Sequence, residues 1–361
     1  MSGGVDSSVA AALLRDAGHE VVGVTMKLWG GESDTGCCSV ADVDDARRAA
    51  QQLGIDHLVF NFGDDFTAHV VGPYLDAHMA GRTPNPCIEC NRHLKFARLA
   101  ERADLLGFDA VATGHHAKVV RAALTGGSWR LGRGADRAKD QSYVLHMLGQ
   151  EQLAKTLLPV GELTKDEVRR RAGVLGLRTA AKPDSQDVCF ITSRGGRRGF
   201  VGTRVPLHAG TVVDTSGHRL GVVPAVELVT VGQRKGVGLP GGGPARYVVD
   251  VDVAEAVVTV GSAEELLVDA QRAGACTWVD EPPGGEVLVQ TSAHGVPRSA
   301  TVEPVPDADG IGTVVVRWHQ PQRRVAPGQS IVLYDTTDTF VLGGGVAGSA
   351  GAGAEAAPTQ P

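Results

Sequence analysis

Short apolar runs and stretches of helical period alternate along the first 180 residues. Residues 9–17 repeat at helical spacing, and Gly18 offers a stop. Residues 20–26 form a β-branched run fit for a buried strand; 40–53 predict a helix ended by Gly54, and 57–62 the next strand. Helical period returns over 66–80 and 92–107. Residues 110–115 then predict a strand entering a loop, and 151–158 and 164–175 continue as helices. This alternation predicts an α/β domain on a doubly wound, mostly parallel sheet, whose ligands sit at the carboxyl ends of strands. The opening loop, Met26 and Gly114 all fall at such ends.

Past Lys182-Pro183 the pattern changes to glycines, prolines and short β-branched runs. Residues 211–214 and 218–220, split by Ser216-Gly217, predict a hairpin. Short strands recur at 257–260, 286–290, 300–303, 312–318 and 330–334, a spacing that suits a small β-barrel or sandwich. The expected division is an α/β catalytic domain over 1–190, a small central domain over 191–252, a C-terminal β-barrel over 253–346 and a disordered Gly/Ala tail over 347–361.

The length of 361 residues suits two or three domains, and 42% hydrophobic content supports real cores. No apolar run approaches the ~18–20 residues of a membrane span, and no signal-peptide pattern precedes the first loop, so a cytoplasmic protein is expected. A net charge of −6 argues mildly against nucleic acid. Its distribution argues the other way: residues 190–250 carry eight Lys/Arg against three Asp/Glu, densest at Arg194, Arg197, Arg198, Arg234 and Lys235. A local basic patch matters more for phosphate binding than total charge. In a reducing cytosol, the six cysteines (Cys37, Cys38, Cys87, Cys90, Cys189 and Cys276) point to catalysis, redox or metal binding rather than a disulfide framework.

The densest chemistry opens the chain. Met1-Ser2-Gly3-Gly4-Val5-Asp6-Ser7-Ser8 joins two glycines, three hydroxyls and a following helix, which makes an anion cradle suited to phosphate. No Lys follows in P-loop spacing, so the loop suits holding pyrophosphate rather than transferring a γ-phosphoryl group. Such a loop is expected to follow a buried strand, which would lie upstream of Met1. The plain alternative is a Gly-Ser turn before a helix. Residues 83–96 hold Cys87-x-x-Cys90 in a loop stiffened by Pro84 and Pro86, a spacing open to a redox pair, half a zinc site or part of an iron–sulfur site. Cys189 is flanked by apolar residues and reads equally as a small buried hydrophobe.

The opening loop resembles the PP-loop of ATP pyrophosphatases. Further motifs follow in order: Thr83-Pro84-Asn85-Pro86 with Cys90-Asn91, Ala112-Thr113-Gly114-His115, Lys139-Asp140-Gln141-Ser142-Tyr143, Asp184-Ser185 with Cys189-Phe190-Ile191, Gly232-Gln233-Arg234-Lys235-Gly236, Tyr247-Val248-Val249 and Pro327-Gly328-Gln329. Together they resemble the bacterial tRNA-specific 2-thiouridylases over residues 1–345. The resemblance implies that ATP, with Mg2+, adenylates the C2 oxygen of the wobble uridine and that a persulfide on Cys189 supplies sulfur. It implies Cys90 as nucleophile, either forming a Cys90–Cys189 disulfide or assisting transfer directly. It assigns ATP binding to Met1, Ser2, Gly3, Gly4, Val5, Asp6, Ser7, Met26 and Gly114, with Asp6 also catalytic. It places Asn85, Pro86 and Cys87 at the target base, which must leave its stack to be reached. Lys139, Asp140 and Gln141 match a tRNA-contacting segment. The partners implied are tRNAs for Lys, Glu and Gln and a sulfur donor such as a cysteine desulfurase or sulfur relay protein.

The chain departs from that pattern in places. The family often carries Asp where this chain has Cys87, which raises an iron–sulfur cluster on Cys87, Cys90 and Cys189 as a second sulfur carrier. An Arg-aromatic pair found in many relatives is replaced by Thr291-Ser292-Ala293-His294, so a tRNA contact there passes to His294 or is lost. Another adenylating ligase would need the opening loop but not the thiols at 90 and 189; a tRNA-binding module would need neither intact.

Overall fold

The protein is described by a computed structural model covering residues 1–29, 40–122, 127–183, 188–191, 195–239, 243–305 and 312–348. Cys37, Cys38, Asp184, Ser185, Arg194 and the tail from 349 onward lie outside the described residues.

The first domain is α/β. Helix Val5–Asp16 buries Val5, Val9 and Ala10 to Ala12 against Ala49, Leu53, Val168 and Ala172 of neighbouring helices. Strand Val22–Lys27 pairs in parallel with Asp56–Asn61, and Val111–Ala112 pairs in parallel with Thr156–Leu157. Among the described residues the parallel sheet is thus two separate pairs. The strand expected over 110–115 is ladder only at Val111–Ala112, because the chain turns away where Gly114 meets the opening loop. Two expected helices contain wide turns. Residues 63–79 run as Gly63–Phe66, a π segment Thr67–Val71 and Gly72–Met79, and Pro73 supplies the cause because it has no N–H to give the preceding turn. The helix expected from 92 instead starts at Pro86–Glu89, continues as a π segment Cys90–Arg98 and ends as Leu99–Leu105.

The central sheet runs Arg219–Val223, Gly210–Asp214, Val257–Gly261, Tyr247–Asp252. Strand Val257–Gly261, which the sequence pattern assigns to the barrel, pairs in parallel with Gly210–Asp214. The C-terminal barrel has six strands in the order Leu267–Trp278, Thr313–Arg323, Arg298–Val305, Gly285–Gln290, Ser330–Tyr334 and Phe340–Ala347, and the last pairs back onto the first. A hairpin of the first domain, Ala117–Arg121 with Trp129–Arg133, joins the barrel edge-on through Phe340↔Gly132 and Val341↔Leu131. No described helix is long and apolar enough to cross a membrane.

Candidate active site

The opening loop folds around its own hydroxyls. Ser7 Oγ accepts from the Ser2 amide at 3.2 Å, and Ser7 Oγ and Ser8 Oγ donate to the Gly4 carbonyl at 3.2 and 2.9 Å. Gly3 has φ +69, and a Cβ there would lie 2.4 Å from the Asp42 carbonyl, so only glycine fits the turn. Gly114 closes the other side: its Cβ would lie 2.6 Å from the Ser7 amide nitrogen and 2.7 Å from the Asp6 carbonyl carbon. Met1 offers its carbonyl to Thr25 Oγ1 at 2.7 Å, and Val5 is core.

Asp6 points into a charged node that sequence reasoning missed. Lys165 Nζ donates to both carboxylate oxygens at 2.8 and 2.7 Å, and His116 Nε2 lies 3.2 Å from Oδ1. Burial alone would raise the Asp6 pKa, but the hydrogen bonds from His116 and Lys165 and the Lys165 charge outweigh it and hold the carboxyl below its usual value. The one signal for Lys165 was the capping box Thr164-x-x-Glu167, which sets Lys165 at the first helical position. Beside this node, His115 Nδ1 lies 2.7 Å from Thr113 Oγ1 and its Nε2 3.5 Å from Lys95 Nζ. Burial first, then the charges of Lys95 and His116, push the His115 pKa well down and keep it neutral.

The thiols gather in a cluster that Met26, from strand Val22–Lys27, borders. Asn85 Oδ1 accepts from the Cys87 amide at 3.1 Å and starts the turn that carries Pro86, Cys87 and Cys90. Cys90 is buried in a cluster with Leu28, Phe66, Tyr74, Phe190 and Phe200, and Cys189 and Met26 pack against the same cluster. The three-thiolate set expected for an iron–sulfur cluster is not assembled. Cys87 is exposed, Cys90 is 9% exposed, and among the described residues no three His, Cys, Asp or Glu side chains are grouped to hold a metal ion.

The loop before Cys87 is held from far away in sequence. The Thr83 amide donates to the Pro327 carbonyl at 2.7 Å, Gln329 Nε2 donates to the Thr83 carbonyl, and Thr83 Oγ1 lies 3.1 Å from Thr230 Oγ1. Thr83-Pro84 and Pro327-Gly328-Gln329 are therefore two halves of one clamp.

The expected tRNA-contacting segment divides. Asp140 is buried and accepts from Arg133 Nη1 at 2.8 Å, the Gly134 amide at 2.8 Å and Ser142 Oγ at 2.8 Å, so its carboxylate serves the protein interior. Gln141 exchanges bonds with the His116 backbone at 2.9 Å in both directions. Lys139 stays partly exposed, and its neighbours Ala138 and Asp140, with His294, line a surface cleft of about 250 Å³. A second cleft of about 280 Å³ brings Arg197 and Arg198 together with Gln233 and Gly236. Gln233 folds that turn by accepting from the Thr230 amide and donating to the Lys235 carbonyl, which leaves Arg234 and Lys235 exposed.

Comparison with known proteins agrees with this three-part build. Residues 1–193 match the family model described as a tRNA methyl transferase HUP domain, 198–262 a tRNA methyl transferase PRC-barrel domain and 268–347 an aminomethyltransferase beta-barrel domain. A protein of Beutenbergia cavernae named tRNA-specific 2-thiouridylase MnmA is 46% identical over 99% of this chain and 96% of its own length. Proteins of that name from Chloroflexus aggregans, at 46%, and Mycobacteroides abscessus, at 45%, each align with 96% of this chain and with 96% and 97% of their own lengths. The chain belongs to the tRNA-specific 2-thiouridylase family. As a member of that family it contains the PP-loop and both thiols within one α/β domain, with Asp6 already committed to Lys165 and His116.

Proposed function

We propose that this chain is an ATP-dependent tRNA sulfurtransferase that converts the C2 oxygen of the wobble uridine to sulfur, releasing AMP and pyrophosphate. The observation that carries the reading is the convergence of Cys90 and Cys189 on one apolar cluster, with Met26 at its border. The uridine C2 oxygen attacks the α-phosphorus of ATP, and backbone N–H groups of residues 3–7 hold the departing pyrophosphate. Both Asp6 oxygens accept from Lys165, so Mg2+ would enter on the phosphates rather than on Asp6.

Sulfur arrives as a persulfide on Cys189, loaded by a donor such as a cysteine desulfurase or relay protein. The Cys90 thiolate attacks Cys189 Sγ and forms a Cys90–Cys189 disulfide. The hydrosulfide released adds at C2 and expels AMP. The apolar surroundings keep water from competing for the activated uridine. Asn85 and Pro86 border the flipped base, and tRNAs for Lys, Glu and Gln are the expected substrates.

Purified protein with ATP, persulfide donor and unmodified tRNA should form 2-thiouridine at the wobble position and release pyrophosphate only when tRNA is present. Cys189→Ser should lose 2-thiouridine while still releasing pyrophosphate. Wobble 2-thiouridine retained in tRNA from a strain depleted of this protein would overturn the proposal.

A further inference from the structure

The disulfide that ends each turnover has to be reduced before Cys189 can be reloaded. Cys90 is 9% exposed and Cys189 is partly buried against the ring cluster of Phe66, Tyr74, Phe190 and Phe200. A protein reductant must bring its own thiolate in line with one of the two sulfurs, and these surroundings leave it little access. Cys87 differs in this one respect: it is exposed. It sits three residues before Cys90 on a continuous right-handed turn, since Cys90 itself has φ −62 and ψ −42. Side chains at i and i+3 of a helix have Cβ atoms about 5–6 Å apart, ~1–2 Å more than a disulfide asks. Residues 82–85 before that turn are not helical, so its first turn can tighten without breaking a longer helix.

We propose that Cys87 is the resolving thiol that carries the post-turnover disulfide from the buried Cys90–Cys189 pair to the surface as Cys87–Cys90. The proposal rests on the persulfide reading above. The Cys87 thiolate attacks Cys90 Sγ; the Cys87–Cys90 bond forms as the Cys90–Cys189 bond breaks. Cys189 leaves as a thiolate, and the proton Cys87 gave up returns to solvent. This exchange moves the disulfide without net oxidation. An external protein dithiol then attacks the exposed Cys87 sulfur, supplies two electrons and departs as its own disulfide.

The test maps disulfides by non-reducing peptide mass spectrometry after one turnover without reductant, in the full-length wild type and in Cys87→Ser. The wild type should show the Cys87–Cys90 peptide and Cys87→Ser the Cys90–Cys189 peptide. Reduction of the post-turnover disulfide by a thioredoxin-type protein dithiol, followed by peptide mass spectrometry, should be about tenfold or more slower in Cys87→Ser, while a small phosphine that reaches buried sulfur should reduce both proteins at similar rates. A wild type that stops at Cys90–Cys189, or a variant whose disulfide the protein dithiol reduces as fast as that of the wild type, would overturn the proposal alone. Thiolation with no disulfide involving Cys90 in either protein would overturn the persulfide reading and this proposal with it.

Discussion

At Asp6, burial and pairing pull in opposite directions, and pairing wins. Its lowered carboxyl means the Asp6–Lys165 contribution is fully present above the unfolded carboxylate value of about 3.9 and is lost only as pH falls through the lower folded value. Acid loss of activity between pH 7 and 5 should therefore not come from Asp6, and a pH profile of pyrophosphate release in wild type and Asp6→Asn checks this. Lys165 holds both Asp6 oxygens. Lys165→Met keeps the stem but leaves the half-buried carboxylate with His116 alone, and pyrophosphate release should fall ~100-fold. Gly114 makes the same point sterically: any Cβ meets the Ser7 amide nitrogen at 2.6 Å.

Among elements, the loop at residues 83–86 owes its position to partners more than two hundred residues away. Its amide and carbonyl at Thr83 are both taken by Pro327-Gly328-Gln329, and Pro84 and Pro86 stiffen the backbone beyond it. Gln329→Ala removes one side of the clamp, leaving a backbone carbonyl short of its partner at a cost of about 1–3 kcal/mol. Thiolation should fall while ATP affinity holds, which titration calorimetry beside a 2-thiouridine assay will separate. The turn at Gly232–Gly236 is a different kind of element, since Gln233 folds it and Arg234 and Lys235 extend from it. The double variant Arg234→Ala, Lys235→Ala should weaken tRNA binding evenly across tRNA species and reduce the slope of log affinity against log salt by about 1–2.

On the scale of the whole molecule, Arg133 ties the domains together. It donates to Asp140 of the first domain and to Gln290 and Asp338 of the barrel, and its guanidinium lies 3.5 Å over the Tyr334 ring. Arg133→Met leaves Asp140 buried without its cation, and a loss of about 3–5 kcal/mol should appear in urea unfolding. A second whole-molecule effect comes from His78, held at the junction with the central domain by its Nδ1 contact to the Glu227 carbonyl at 3.1 Å. Burial lowers its pKa to about 4, against the Glu227 hydrogen bond. The unfolded chain takes up that proton below about pH 6.5 while the folded one resists until about 4, so stability falls as pH drops across that window. The urea midpoint should decrease from pH 7 to 4.5, and His78→Gln should flatten the decrease.

The sequence by itself determined the features that are local. Helical period, strand composition and motif spacing marked out the opening loop and the 83–90 turn, because each is written within one run of chain; Cys90 and Cys189 were singled out only by the family resemblance. The barrel was legible as a class from its evenly spaced short strands. Pairing was not. Nothing local says that strand Val257–Gly261 lies beside Gly210–Asp214, or that the hairpin ending at Arg133 joins the barrel. Lys165 and His116 stayed invisible because a lone Lys or His gains meaning only from the carboxylate the fold brings to it. Asp140 looked like a surface contact until the fold buried it against Arg133. Gly343-Gly344-Gly345 lies inside the span expected for the barrel, but why glycine stands there is seen only at the seam: a Cβ at these positions would lie 2.3 Å from the Thr277 carbonyl, 2.6 Å from the Ile331 carbonyl and 2.5 Å from Cys276 Sγ, respectively. Composition records that glycine is there; only tertiary packing supplies the neighbours that exclude everything larger.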